Sequence, residues 1–213
     1  MAEFSESTQC RKWTFSVQEL TYLRIEANRR YNVAGDGEKR MQSETAYTAP
    51  DKAYIRSLEN LSANESIKTS DHMEYSSDEQ IIKYFCFQIK QACSPSGKSL
   101  KIRRPWRVWC TAAIYFRRFY ICNSLMAHDP RTVMLACIFL SSKVETAYLS
   151  VSDLIVEIYK KGKEANVLTY EQLLLESLGF NLRVLHPHNT SHAIIADYKR
   201  VLSLSLSLSL LNH

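Results

Sequence analysis

Glycine and proline are scarce in this 213-residue chain, with five of each. A sandwich or barrel of short strands needs frequent turn-formers, so the shortage favours long helices and an all-α fold. No glycine-rich phosphate loop is present. Gly97-Lys98-Ser99 has the ending of a P-loop, but the position of its first glycine holds Ala92. The six cysteines contain no C-x-x-C pair, and Cys86, Cys93, Cys110 and Cys137 stand within apolar helical patterns, where a reduced thiol behaves as a small hydrophobe. Neither a disulfide nor a zinc site is expected. His186, His188 and His192 are close in sequence, yet no neighbouring cysteine or carboxylate completes a ligand set. The opening MAEFSESTQC is polar, unlike a secretory core, and the longest apolar run is too short for a bilayer. A soluble, intracellular chain with no membrane contact is the expectation. With no nucleophile beside a base and no spaced carboxylate pair, no catalysis and no cofactor are expected either.

What is present is helical periodicity. Val108, Ala112, Tyr115, Phe119 and Cys122 follow a 4-3-4-3 spacing and share one helix face, while Arg117 and Arg118 fall off it toward water. Asp129-Pro130 then supplies an N-cap oxygen and a proline suited to the first helical position. Val133 to Leu140 are apolar or small on every side, which fits a central helix surrounded by others. That helix runs out into Lys143 and Glu145.

The stretch Ala112 to Glu145, ending in SSKVE, resembles the box of the cyclin family. KWTFSVQELTYLRIEANRRYN, YFRRFY and NSLMAHDPRTVMLAC are most similar to the cyclin H subfamily, over roughly residues 12–32 and 78–200. The resemblance implies a five-helix cyclin box preceded by an N-terminal helix. A full-length member has a second five-helix repeat, and the resemblance implies that residues 184–213 hold only a remnant of it.

Four regions follow. Residues 1–32 hold the N-terminal helix, with a capping-box pattern at Ser16 to Glu19 and a stripe of Leu20, Leu23, Ala27 and Tyr31 that must dock on something. Residues 33–75 read as a polar linker containing Gly35 and Gly37, with one weak turn around Tyr54 to Leu58. Residues 76–183 form the box. Its first helix is capped at Ser76 to Glu79 and buries Ile82, Phe85, Cys86, Ile89 and Cys93; Pro105 opens the second, Asp129 caps the third, and Ser150 with Asp153 caps the fourth. The fifth ends near Gly179, and its start is open between Lys163 or Glu164 and a cap at Thr169 with Gln172. Residues 184–213 begin as a helix with Ile194, Ile195, Tyr198 and Val201, then become VLSLSLSLSLLNH, a low-complexity tail with a strand-like period of two.

The resemblance places a kinase-binding site at Leu140, Lys143, Val144, Glu145, Glu171, Phe180 and Leu182. Lys143 and Glu171 would offer a donor and an acceptor to the regulatory helix of a kinase. Leu140 reads as core from periodicity alone, whereas Phe180 follows the helix-ending Gly179 and is free to project as an anchor. Thr146 stands where the family usually has a second acidic residue, and Cys110 replaces an expected glycine, with Trp106 and Trp109 adding bulk nearby.

Lys98, Lys101, Arg103, Arg104 and Arg107, with Lys160, Lys161 and Lys163, invite a nucleic-acid reading, but the net charge is only +5 and solvated faces explain most such clusters. Direct nucleic-acid binding is not expected. The implied function is that of a regulatory subunit, not an enzyme, which binds and activates a cyclin-dependent kinase of the kinase-activating and transcriptional type. The implied partners are that kinase, an assembly-factor subunit and general transcription factor IIH, and the implied place is the nucleus, with the cytoplasm as a further site. The alternatives are a truncated competitor or poorly folded fragment, and a nucleic-acid-binding fold like that of general transcription factor IIB.

Overall fold

Two reciprocal hydrogen bonds open the long N-terminal helix of the computed structural model. The Ser16 amide donates to Glu19 Oε2 at 2.6 Å, and the Glu19 amide donates to Ser16 Oγ at 3.1 Å. The expected capping box is formed in full. The structure describes residues 4–33, 47, 69–94, 105–159 and 164–211. Among them a 3-10 turn, Phe4–Glu6, leads into helices α1 (Thr8–Trp13), α2 (Val17–Val33), α3 (Thr69–Cys93), α4 (Pro105–Cys122), α5 (Pro130–Val144), α6 (Val151–Tyr159), α7 (Glu164–Ser177) and α8 (Pro187–Leu211). The described residues contain no strand, as the shortage of turn-formers implied. No described helix is long and apolar enough to cross a membrane. The chain divides into two compact units, Met1–Arg183 and Val184–His213.

In the first unit α5 is central. Its ten consecutive residues from Val133 to Ser142 are buried, and it packs against α4 and α7, and also α3 and α6. Asp129 caps it, with Oδ1 accepting from the Arg131 amide at 3.4 Å and Oδ2 from the Thr132 hydroxyl at 3.0 Å. Ser141 and Ser142 tolerate the interior because their hydroxyls donate to the carbonyls of Ile138 and Phe139 at 2.9 and 2.7 Å. Around α5, Tyr115, Phe116, Phe119 and Tyr120 of α4 are fully buried. Edge-to-face contacts link Phe116 to Tyr120 at 5.0 Å and Phe119 to His128 at 5.1 Å.

Three expectations are corrected. Arg118 does not reach water: it is 5% exposed, donates from Nη1 to the Asn181 carbonyl at 3.2 Å and lies over the Trp13 ring at 4.8 Å. Burial lowers its pKa to about 10. Periodicity along one helix has no means of registering that α1 brings Trp13 over this flank. The first helix of the box starts at Thr69, so Ser76 lies within its span rather than at its N-terminus. Glu79 is used elsewhere, paired with Arg24, with Arg117 at 3.6 Å and with Lys83 at 3.8 Å. Third, the Leu-Ser tail is helical through Leu211. Alternation specifies a strand only when a neighbouring strand is there to pair, whereas leucine is a strong helix former. The boundary left open for the fifth box helix falls at Glu164, with Thr169 inside it. The candidate turn at Tyr54 to Leu58, and Lys98, Lys101, Arg103, Arg104, Lys160, Lys161 and Lys163, lie outside the described residues.

The stripe on α2 finds its dock at the end of α4. Leu23 packs with Ile121 and Cys122, and Trp13, Phe15 and Leu20 close over them. Polar contacts fix the register: Asn28 Nδ2 donates to Asp78 Oδ2 at 2.6 Å, and Ser124 Oγ donates to Asn28 Oδ1 at 2.7 Å. Burial raises the pKa of Asp78. At Glu79 burial also pushes upward, but the Arg24 hydrogen bond and the charges of Arg24, Arg117 and Lys83 outweigh it and hold the carboxyl below its ordinary 4.5. A lowered folded pKa stabilises the fold above the unfolded pKa, and that contribution is lost as pH falls through the folded value. Urea unfolding carried from about pH 6 to about pH 3 should show an acid-sensitive component that Glu79→Gln lacks. Asp78 works in the opposite sense, its cost fading as pH falls, so Asp78→Asn should not lower stability at neutral pH.

Candidate functional site

Helix α4 is the spine on which the candidate site is assembled. Thr111 Oγ1 donates to Glu145 Oε1 at 2.8 Å, and one turn further Tyr115 OH donates to the Leu182 carbonyl at 2.5 Å. Thr111 and Tyr115 are about 6 Å apart along the axis, so the end of α5 and the segment after α7 meet along one edge of α4. Burial pushes the Tyr115 phenol well above its ordinary value, which keeps it a donor. Arg107 Nη1 also approaches Glu145 Oε2, at 3.9 Å, and its guanidinium lies 5.1 Å from the Trp106 ring. Of the basic cluster read from sequence, this one described arginine has its charge directed at Glu145 rather than at a phosphate.

Lys143 and Glu171 meet as the resemblance implied. The Lys143 ammonium donates to both carboxylate oxygens of Glu171, at 2.8 and 2.9 Å, and sits 4.1 Å from the Phe139 ring centroid. The lysine side chain is 43% exposed and the glutamate 13%. Such a pair adds only about 0.5–1 kcal/mol to stability when one partner is this exposed. Its two ends hold both charges in fixed positions at the surface.

The turns after α5 and α7 are built alike. After α5, the Thr146 amide donates to the Lys143 carbonyl at 3.2 Å and the Ala147 amide to the Ser142 carbonyl at 2.8 Å. After α7, Gly179 donates to Glu176 at 2.9 Å and Phe180 to Leu175 at 3.0 Å. Both are Schellman endings, which require a left-handed residue. Gly179, at φ 55°, meets that requirement without strain, but Thr146 at φ 54° and Phe180 at φ 56° carry side chains there. Thr146→Gly should therefore raise stability by about 0.5–1 kcal/mol, the relief of strain exceeding glycine's entropic cost. The check is a higher urea midpoint at unchanged slope.

Of the residues proposed from sequence, Lys143 is exposed at the end of α5, Glu145 beside it and Glu171 on α7 have side chains only 13% exposed, and Phe180 projects with 71% of its surface exposed. Val144 and Leu182 are half-buried. Leu140 is a correction: at 4% exposure it belongs to the core of α5 and offers no docking surface. Thr111, Arg107, Tyr115 and Arg118, which hold the site in place, were not singled out for it. Their contacts span separations of up to 67 residues, and no local signal marks them.

Residues 101–183 match the family Cyclin, N-terminal domain. Over those residues the chain is similar to a cyclin domain. It is similar to Cyclin-H of Xenopus laevis, 31% identical over 202 residues that make up 92% of this chain and 54% of the relative. Two solved structures share the fold. A chain of the CAK complex of Chaetomium thermophilum bound to ATP-gamma-S aligns with a TM-score of 0.65 at 22% identity, covering 92% of this chain and 53% of that one. A chain of the yeast TFIIK complex (Kin28/Ccl1/Tfb3) aligns with a TM-score of 0.57 at 23% identity, covering 93% of this chain and 65% of that one. The chain thus spans about half the length of the Xenopus relative. Within the matched residues, α4 holds Glu145 and the segment that follows the exposed Phe180, and the Lys143–Glu171 pair joins the end of α5 to α7.

Proposed function

We propose that this chain is a regulatory subunit that docks on a cyclin-dependent kinase of the kinase-activating and transcriptional type, with Lys143, Val144, Glu145, Glu171, Phe180 and Leu182 as the docking face. The observation that carries the reading is the conjunction of a surface ion pair with a strained, exposed aromatic one turn past the same bundle of helices. The carboxylate of Glu171 uses two of its roughly four acceptor directions on Lys143, so donor and acceptor capacity remain for the backbone of a partner helix. Phe180 adds an apolar anchor. Strain at a surface residue is retained where a surrounding structure insists on it, and such residues collect at binding sites.

The similarity to Cyclin-H and the fold shared with chains of the CAK and TFIIK complexes support this partner class. The same similarity supports an assembly-factor subunit as a further partner, a place in general transcription factor IIH, and a nuclear setting. The chemistry belongs to the kinase: docking favours the arrangement of its regulatory helix in which the catalytic lysine is paired. A second reading, a binder that occupies the kinase without activating it, draws on the exposed Ile194, Tyr198 and Val201 of α8, an apolar stripe in the second unit. Co-purification with the kinase, followed by phosphorylation of an activation-loop substrate, separates the two. Binding with activity supports the regulatory subunit, and binding without activity supports the competitor.

A further inference from the structure

Asn123 lies just past α4 and Ser177 ends α7; both are buried, and together they hold the backbone of one residue from far away in the chain. Asn123 Oδ1 accepts from the Tyr47 amide at 2.8 Å, and Asn123 Nδ2 donates to the Tyr47 carbonyl at 3.1 Å. Ser177 Oγ donates to the same carbonyl at 3.1 Å and accepts from Asn123 Nδ2 at 3.2 Å. Asn123 Nδ2 also reaches the Phe119 carbonyl at 2.8 Å. The side-chain amide thus presents to Tyr47 the donor and acceptor that a neighbouring strand would present. The Tyr47 ring lies 4.4 Å from the Arg30 guanidinium, and Arg30 Nη2 donates to the Cys122 carbonyl at 3.2 Å. Helices α2, α4 and α7 are therefore joined through a single residue.

What this clasp secures is the residue immediately before the turn that carries Phe180. A non-glycine residue in the left-handed region persists only where its surroundings over-determine it. Downstream of Phe180 the surroundings are plain: Arg118 holds the Asn181 carbonyl and Tyr115 holds the Leu182 carbonyl. Upstream, the contacts at Ser177 come from Asn123 and Tyr47. We propose that Asn123 is a positioning residue for the docking face: by clasping the Tyr47 backbone against Ser177, it holds the Leu178–Leu182 turn in the strained form that presents Phe180. Its bearing on partner binding rests on the docking reading above, whereas the mechanical claim needs no partner.

Hydrogen exchange on the full chain tests it. Tyr47→Pro removes the amide that Asn123 accepts from, and Asn123→Asp keeps the acceptor but loses the donor. In both, the amides of residues 178–182 should exchange about tenfold faster or more, as in local opening, with the amides of α4 and α5 unchanged. Tyr47→Phe keeps ring and backbone and should match the wild type. Wild-type rates at 178–182 in Tyr47→Pro would overturn the proposal. So would acceleration spread evenly over α4, α5 and α7, since that is the signature of a merely structural residue. Kinase affinity measured on the same Tyr47→Pro chain should fall along with the loss of order. If exchange quickens locally and the wild-type chain binds no kinase, the clasp stands and the docking reading fails.

Discussion

Reversing the charge of Lys143 or of Glu171 is expected to abolish capture of the kinase while leaving the chain folded. The two effects separate because they draw on different terms. As an internal ion pair with a 43% exposed lysine, Lys143–Glu171 is worth about 0.5–1 kcal/mol to folding. As a donor and acceptor covered by a partner, each end is worth about 2–5 kcal/mol, or roughly 30-fold to several thousand-fold in affinity. Lys143→Glu and Glu171→Lys should therefore unfold at nearly the wild-type urea concentration and yet fail in a binding titration. The exchanged pair, with both substitutions together, sharpens the distinction. It restores the internal attraction and should recover the small stability loss, but it places acceptor where donor stood and should not recover binding. Recovery of binding by the exchange would mean that the pair acts only as a brace between α5 and α7.

Phe180→Gly should move stability and binding in opposite directions. The ring is 71% exposed and contributes little packing, while its backbone at φ 56° bears the left-handed penalty. Removing the side chain relieves about 1–2 kcal/mol of strain, part of which glycine's added unfolded-state freedom takes back. A net gain of about 0.5 kcal/mol is expected in urea unfolding. An interface aromatic of this kind is worth about 2 kcal/mol or more, so kinase affinity should fall at least about 30-fold. A variant that binds better, or one that loses stability and affinity together, would show that Phe180 is part of the fold rather than an anchor held ready.

The parts of this protein written in short-range signals were legible. The Ser16–Glu19 box, the Asp129-Pro130 start of α5 and the buried run from Val133 to Leu140 are all local matters of spacing and capping, and all are found as read. The Lys143–Glu171 pair was reached only through family resemblance, because nothing local joins residues 28 positions apart. Arg118 shows the limit from the other side. Its place off the apolar stripe of α4 was read correctly, yet water is not what covers that flank; Trp13 and the Asn181 carbonyl are. Glu79 likewise obeyed a capping pattern and was taken by Arg24, since a local cap is a weak competitor against a partly buried ionic network. The strain at Thr146 and Phe180 had no sequence signal beyond the glycine between Leu178 and Phe180, and the Asn123 clasp had none.

The central claim is that the ends of α5 and α7, rather than another face of the helical bundle, meet the kinase. Hydrogen exchange of the full chain with and without a cyclin-dependent kinase of the kinase-activating type tests it most directly. The account predicts slowed exchange at residues 143–146 and 178–182 in the complex, with the exposed face of α3 around Tyr84 and Phe87 unchanged. Binding that leaves both segments at their free rates while protecting another face would contradict it.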